Sequence, residues 1–203
     1  MQHLSPMAEV KLAFAQQGIW VPTIAYFFLV AAASAFGLWG LQFPQDILKT
    51  DIKGVGGALA LIFAIGTIGM AATGWFVDRG GRRENILVGT LAVSALGFAL
   101  TAATTANPAL ATAGFVLGVF GCLASFPVFW GSLTPRLMPV AAAGAIAMVN
   151  SVGNLGGAIG PSVLGPIKQS LGLAPSIATV AVMMALAAVF ALALRPGRAR
   201  GAA

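Results

Sequence analysis

Residues 85–135, NILVGTLAVSALGFALTAATTANPALATAGFVLGVFGCLASFPVFWGSLTP, run from Asn85 to Pro135 without one charged side chain. An α-helix rises 1.5 Å per residue, so about 20 apolar residues cross a hydrocarbon core about 30 Å thick. This stretch is long enough for two crossings. Asn107-Pro108 divides it where a tight turn is needed. Working outward, the chain is also free of charge between Lys11 and Asp46, Lys53 and Asp78, Arg136 and Lys168, and Lys168 and Arg195. Each interval holds one crossing. The reading is an all-α membrane protein of six transmembrane helices, at about 19–39, 54–77, 86–106, 109–130, 142–165 and 174–194. Tails at 1–18 and 195–203 flank them.

Composition agrees. Apolar residues make up 59 % of the 203 and charged ones only 8 %, too few to cover the surface of a soluble domain. Backbone groups in lipid must pair within their own segment, which makes the spans helical. The short alternating strands of a membrane β-barrel are not visible. Glu9 and Lys11 precede a full-length apolar span, unlike the short one of a signal peptide. The single cysteine, Cys122, lies within the fourth span and reads as a small buried hydrophobe.

Six crossings put both ends of the chain on one side of the membrane. That side carries Lys11, Arg79, Arg82, Arg83, Arg136, Arg195, Arg198 and Arg200, against Lys49, Lys53 and Lys168 on the other. Cytoplasmic loops carry the excess of Lys and Arg, so both termini are expected in the cytoplasm. The net charge of +6 then needs no nucleic-acid partner. The basic tail from Arg195 suits anionic lipid head groups.

The sharpest local pattern is Gly74-Trp-Phe-Val-Asp78-Arg79-Gly-Gly81-Arg82-Arg83, at the end of the second span. Glycines that end a helix and arginines that hold a loop inside explain part of it. They do not explain an aspartate at the membrane edge. The pattern resembles the loop signature of the major facilitator superfamily, with every position filled. The resemblance implies that Asp78 and the arginines latch the two halves of a transporter in one conformation. Asp78 would then face the positive end of a helix in the other half.

The fifth span contains Ala147-Met-Val-Asn150-Ser-Val-Gly153-Asn154-Leu-Gly156-Gly157-Ala-Ile-Gly160-Pro161. At about 100° per residue, Asn150, Asn154, Gly157 and Pro161 share one face, and Gly153, Gly156 and Gly160 an adjacent one. Glycines, Gly157 among them, admit a neighbouring helix closely. Amides in lipid need partners, either across a helix seam or in a cavity. This stretch, with Gly165-Pro-Ile-Lys168, resembles helix eleven of the superfamily's anion:cation symporters of organic acids. Tyr26-Phe27, Gly37-Leu-Trp39-Gly40 and Pro44-Gln45 resemble helix seven of that branch and the loop after it, although Trp39 stands where a tyrosine is usual. The resemblance runs from about Gly18 to Leu194 and matches helices seven to twelve only.

It therefore implies the C-terminal half of a transporter, built as two inverted three-helix repeats, in the inner membrane. The residues before Ile19 resemble the end of a long central loop. A fragment, one partner of a split pair, a homodimer of this half acting as a carrier, and a non-transporting remnant or membrane interaction subunit are all compatible with it. The expected cavity wall is Tyr26, Trp39, Asn150 and Asn154, with Ser125 and Trp130 as weaker candidates. The implied substrate is a small organic anion carried with a proton or sodium ion. No charge lies inside any expected span, so the groups that bind and couple are expected in the other half.

Two other classes fit poorly. Asn107-Pro108-Ala109 is also the tripeptide of water channels, which need two copies, and the other asparagines lack Pro-Ala after them. An asparagine cap with a first-turn proline explains it more simply. The only histidine is His3, in the tail, and no acidic pair lies inside a span. Neither a membrane enzyme, a metal centre nor a cofactor is expected.

Overall fold

The computed structural model of the chain describes residues 12, 14–16, 18–49, 52–80 and 82–194, apart from the side chains of 52–54. In chain order its α-helices are α1 (Trp20–Trp39), a short α2 (Gln42–Leu48), α3 (Ile52–Asp78), α4 (Arg83–Ala103), α5 (Pro108–Leu133), α6 (Ala142–Leu171) and α7 (Leu173–Leu192). All but α2 are long and apolar enough to cross a membrane, which makes six candidate spans among the described residues.

Local chemistry explains where the helices end. The Asn107 side chain accepts the Leu110 backbone N–H at 3.2 Å, and Pro108 occupies the first turn of α5. Replacing Asn107 by alanine is expected to cost about 1 kcal/mol, readable as a lower unfolding midpoint of the detergent-solubilised chain. Gly80, at φ +87°, turns the chain after α3, where a side chain would be strained.

Three boundaries differ from the sequence reading. α4 begins at Arg83, so the arginine pair of the loop signature is itself the helix start. The loop after α1 contains α2, whose Phe43, Pro44 and Ile47 are buried and whose end is closed by Lys49 in the left-handed region. Finally, α6 continues past residue 165, through Pro161 and Pro166, to Leu171. Prolines are tolerated in membrane helices because neighbouring groups take up the freed backbone. The added turn is held by Lys168, and Gly172 alone separates α6 from α7.

The helices form two three-helix units, α1-α3-α4 and α5-α6-α7. The first helix of each packs on the second of the other, α1 on α6 and α5 on α3, while α4 and α7 pair with one another. This exchange is the pattern that two inverted repeats give. α6, α1, α5 and α3 thus form one layer, with α7 and α4 behind.

Small residues and hydroxyls make the seams, because apolar burial gives little drive to helix association in lipid. Between α4 and α5, Ser94 donates to the Gly118 carbonyl at 2.7 Å and Ser125 to the Thr90 hydroxyl at 2.9 Å. Thr73 joins α3 to the Ala124 carbonyl of α5 at 3.2 Å. Cys122 is fully buried in α5, packed within the core.

Candidate functional site

The open face of the α6-α1-α5-α3 layer carries the candidate site. Asn150 and Asn154 are both exposed on α6. Among the described residues neither amide makes a hydrogen bond, so both are available to a ligand or a further helix. The glycines beside them meet α1: Gly153 faces the Tyr26 ring, Gly156 the Phe27 backbone, Gly157 Val30 and Ser34, and Gly160 the Ala31 backbone. The flanking helix α3 exposes Leu61, Ile65, Ile68 and Phe76.

The other expected cavity residues are less accessible. Tyr26 is only 6 % exposed. Its ring stacks on Phe129 at 4.5 Å and meets Trp130 edge-on at 5.1 Å, bridging α1 to α5. Tyr26 and Trp130 therefore stand behind the open face, as part of its floor. Ser125 is fully buried and bonds to Thr90 and the Gly121 carbonyl. It lies in the α4–α5 seam and not on the cavity side, which corrects the expectation for it.

Trp39 lies at the far end of α1, in a cluster that the sequence reading did not assemble. The Lys168 ammonium is 2.8 Å from an Asp46 carboxylate oxygen and donates to the Gln42 side-chain carbonyl at 2.9 Å. It also lies over the Trp39 ring, 5.2 Å from its centre, and 5.7 Å from that of Phe43. α6 extends beyond the span expected from the sequence and carries Lys168 in its last turn. One signal was available: Asn150 and Lys168 are about five helical turns apart, hence on one face.

At the opposite end Asp78 is exposed at the close of α3 and forms no ion pair among the described residues. Arg79 turns back over the Trp75 ring, 3.8 Å from its centre. Gly74 has open space beside it, and Arg82 is exposed at the start of α4. Gly81 lies outside the described residues. Arg83 donates to the Gly131 carbonyl at 2.9 Å, tying α4 to α5.

Nearby, Arg136 contacts a Glu84 carboxylate oxygen and the Leu194 carbonyl, each at 2.6 Å, while Gln16 donates to the Arg136 carbonyl at 3.0 Å. Four segments meet at this one residue. Local sequence contains no signal for such a meeting. Arg136→Gln is expected to cost about 2 kcal/mol, mostly through the carbonyl bond, since the half-exposed ion pair is screened. Chemical unfolding in micelles would measure it.

A cavity of about 660 Å³ lies elsewhere, between α4 and α7. Ala95, Ala99, Ala178 and Ala185 are among its lining residues, none of which has a polar side chain, so it is not the candidate site.

Comparison with known proteins decides the family. The model of the Major Facilitator Superfamily matches residues 2–161, most of the chain. The chain belongs to this superfamily. Its six helices are half of the superfamily's fold, and it is a multi-pass membrane protein of a family of transporters rather than enzymes. The chain is 32 % identical over 173 residues to the "Putative tartrate transporter" of Agrobacterium vitis, covering 84 % of this chain and 38 % of that protein. It is 30 % identical over 153 residues to the "Quinolone resistance transporter" of Acinetobacter baumannii, covering 73 % and 35 %. It is 28 % identical over 149 residues to the "Inner membrane transport protein RhmT" of Escherichia coli (strain K12), covering 70 % and 33 %. The chain thus spans less than half the length of these relatives.

Proposed function

We propose that this chain is the C-terminal half of a symporter for small organic anions, working by alternating access. The observation that carries the reading is the α6 face with two exposed, unpaired amides, Asn150 and Asn154. They border a layer whose outer helix α3 is apolar and uncovered. Amides on a membrane helix are costly unless a cavity or partner receives them, and a second six-helix body closing on this layer would make that cavity. The tartrate and inner-membrane names of the relatives support the substrate class and an inner-membrane location. The excess of arginine at the Asp78 end supports cytoplasmic termini.

In this reading the segment before Ile19 is the end of a central loop. The Asp78–Arg83 loop is the switch that meets the other half, since Asp78 has no ion partner in its own half among the described residues. The cation that holds the anion near the midplane, and the carboxylate that carries the coupling proton or a sodium site, belong to that other half. A homodimer is the second reading, in which a second copy of this chain closes on the uncovered α6-α1-α5-α3 layer.

The test is a fusion of this chain behind the part of the Agrobacterium vitis relative that it does not match. Labelled tartrate uptake by cells carrying the fusion is expected to fall at least about tenfold when Asn150 and Asn154 are both replaced by leucine, since each amide bond to a charged ligand is worth over 1 kcal/mol. Uptake at full rate by that variant would sink the cavity assignment.

A further inference from the structure

The Lys168 cluster has no place in the alternating-access reading so far, yet it has the make-up of a binding site. At about 100° per residue, Asn150, Asn154, Gly157, Pro161 and Lys168 all fall within about 60° on one face of α6. The face runs about 27 Å from Asn150 to Lys168 and becomes cationic only at its end. A face with two amides at one end and one ammonium at the other, and only Gly157 and Pro161 between them, offers an anion polar groups at both ends.

The Lys168 side chain is largely enclosed but not locked. The Lys168 side chain is 16 % exposed, whereas its partner Asp46 is 44 % exposed. Asp46 sits on α2, outside the six spans, and can leave Lys168 for water at small loss. When Asp46 leaves, the Lys168 ammonium retains the rings of Trp39 and Phe43 and the Gln42 carbonyl. The Trp39 ring nitrogen is buried with no hydrogen-bond acceptor, and an unsatisfied buried donor carries a penalty that an incoming acceptor removes. Gln42 adds an amide that already reaches Lys168.

We infer that Lys168, Gln42 and Trp39 form a carboxylate-binding subsite at the mouth of the substrate path, in which Asp46 occupies the carboxylate position until a ligand replaces it. The subsite takes one carboxylate of a small dicarboxylate and rests on the organic-anion reading. It is a capture site at the end of the bundle, distinct from the midplane site assigned to the other half. No bond is made or broken, and Asp46 turns to water as the ligand arrives.

The discriminating feature is the sign of the Asp46 effect. If Asp46 is a placeholder, its removal frees Lys168 and tightens binding. If the pair is only a brace for α2, its removal loosens the site. The experiment follows the thermal unfolding midpoint of the purified full chain in neutral detergent micelles, where no anionic lipid competes. Sodium tartrate is added against sodium chloride of equal ionic strength. The wild-type chain is expected to gain stability saturably. Asp46→Asn should lower the half-saturating concentration severalfold, Lys168→Gln raise it at least about tenfold, and Trp39→Phe raise it severalfold.

Should Lys168→Gln fold too poorly to titrate, the opposite shifts of Asp46→Asn and Trp39→Phe still decide. Weaker binding by Asp46→Asn overturns the subsite, as does saturable stabilisation unchanged in Lys168→Gln, and both leave the organic-anion reading standing. Absence of any tartrate effect in wild type and Asp46→Asn alike overturns the subsite and leaves the organic-anion reading, whose binding cation belongs to the other half, to the uptake test of the fusion.

Discussion

Gly160→Leu is expected to yield a chain that fails to run as a single species in detergent and unfolds at markedly lower SDS. A Cβ at Gly160 would collide with the Ala31 carbonyl oxygen and lie 2.8 Å from its carbon and 3.0 Å from its Cα. These are backbone atoms, so no rotamer change relieves them. The α1 and α6 axes must part, which also loosens Gly153 from Tyr26 and Gly156 from Phe27 along the same seam. Overpacking of this kind costs about 3 kcal/mol or more, and lipid offers no burial of apolar surface to compensate. Gly89→Ala is the matched control. It lies inside α4 with nothing within 4 Å, so alanine there is expected to be neutral or to stabilise by up to about 1 kcal/mol. An unchanged SDS midpoint for Gly160→Leu would show that α1 and α6 do not approach this closely.

The chain reconstituted alone in liposomes is expected to show no proton- or sodium-driven uptake of tartrate above empty vesicles, while the fusion does. Among the described residues, Lys168 sits in the last turn of α6, and the interiors of the membrane helices hold no other charged side chain. No carboxylate lies in the interior of α1, α3, α4, α5, α6 or α7. Coupling to an ion in lipid needs such a group, and an anion near the midplane needs a cation. Capture of tartrate at Lys168 is compatible with this result, because binding at the mouth moves nothing across. Coupled uptake by the chain alone would mean that two copies supply what one half lacks, and would favour the homodimer.

The six spans were legible because the bilayer imposes one length on every crossing. Uncharged intervals such as residues 85–135 report it directly. The Asn107 cap and the glycine face of α6 were legible for a related reason: each depends on neighbours within one or two helical turns. The end of α6 was not. The expected span closed at 165, whereas neighbouring groups in the bundle carry the helix through Pro166 to Leu171, and α2 brings Gln42 and Asp46 to Lys168. Ser125 was misread because a serine on a membrane helix looks the same whether it faces a cavity or a seam. Only its approach to Thr90 on α4 distinguishes them.

By itself, the sequence determined that this chain crosses the membrane six times, which side is basic, and the family to which its loop signature belongs. Hydrocarbon thickness and the local hydrogen bonding of a helix act through composition and short spacing, and both are written along the chain. The tertiary structure alone decided that Asn150 and Asn154 are uncovered, that Tyr26 is covered, that Arg136 gathers four segments, and that Lys168 meets Asp46, Gln42 and the Trp39 ring. Each of these depends on which helix lies against which. Residues 46 and 168, or 84 and 136, become neighbours only when packing has set the order of the helices.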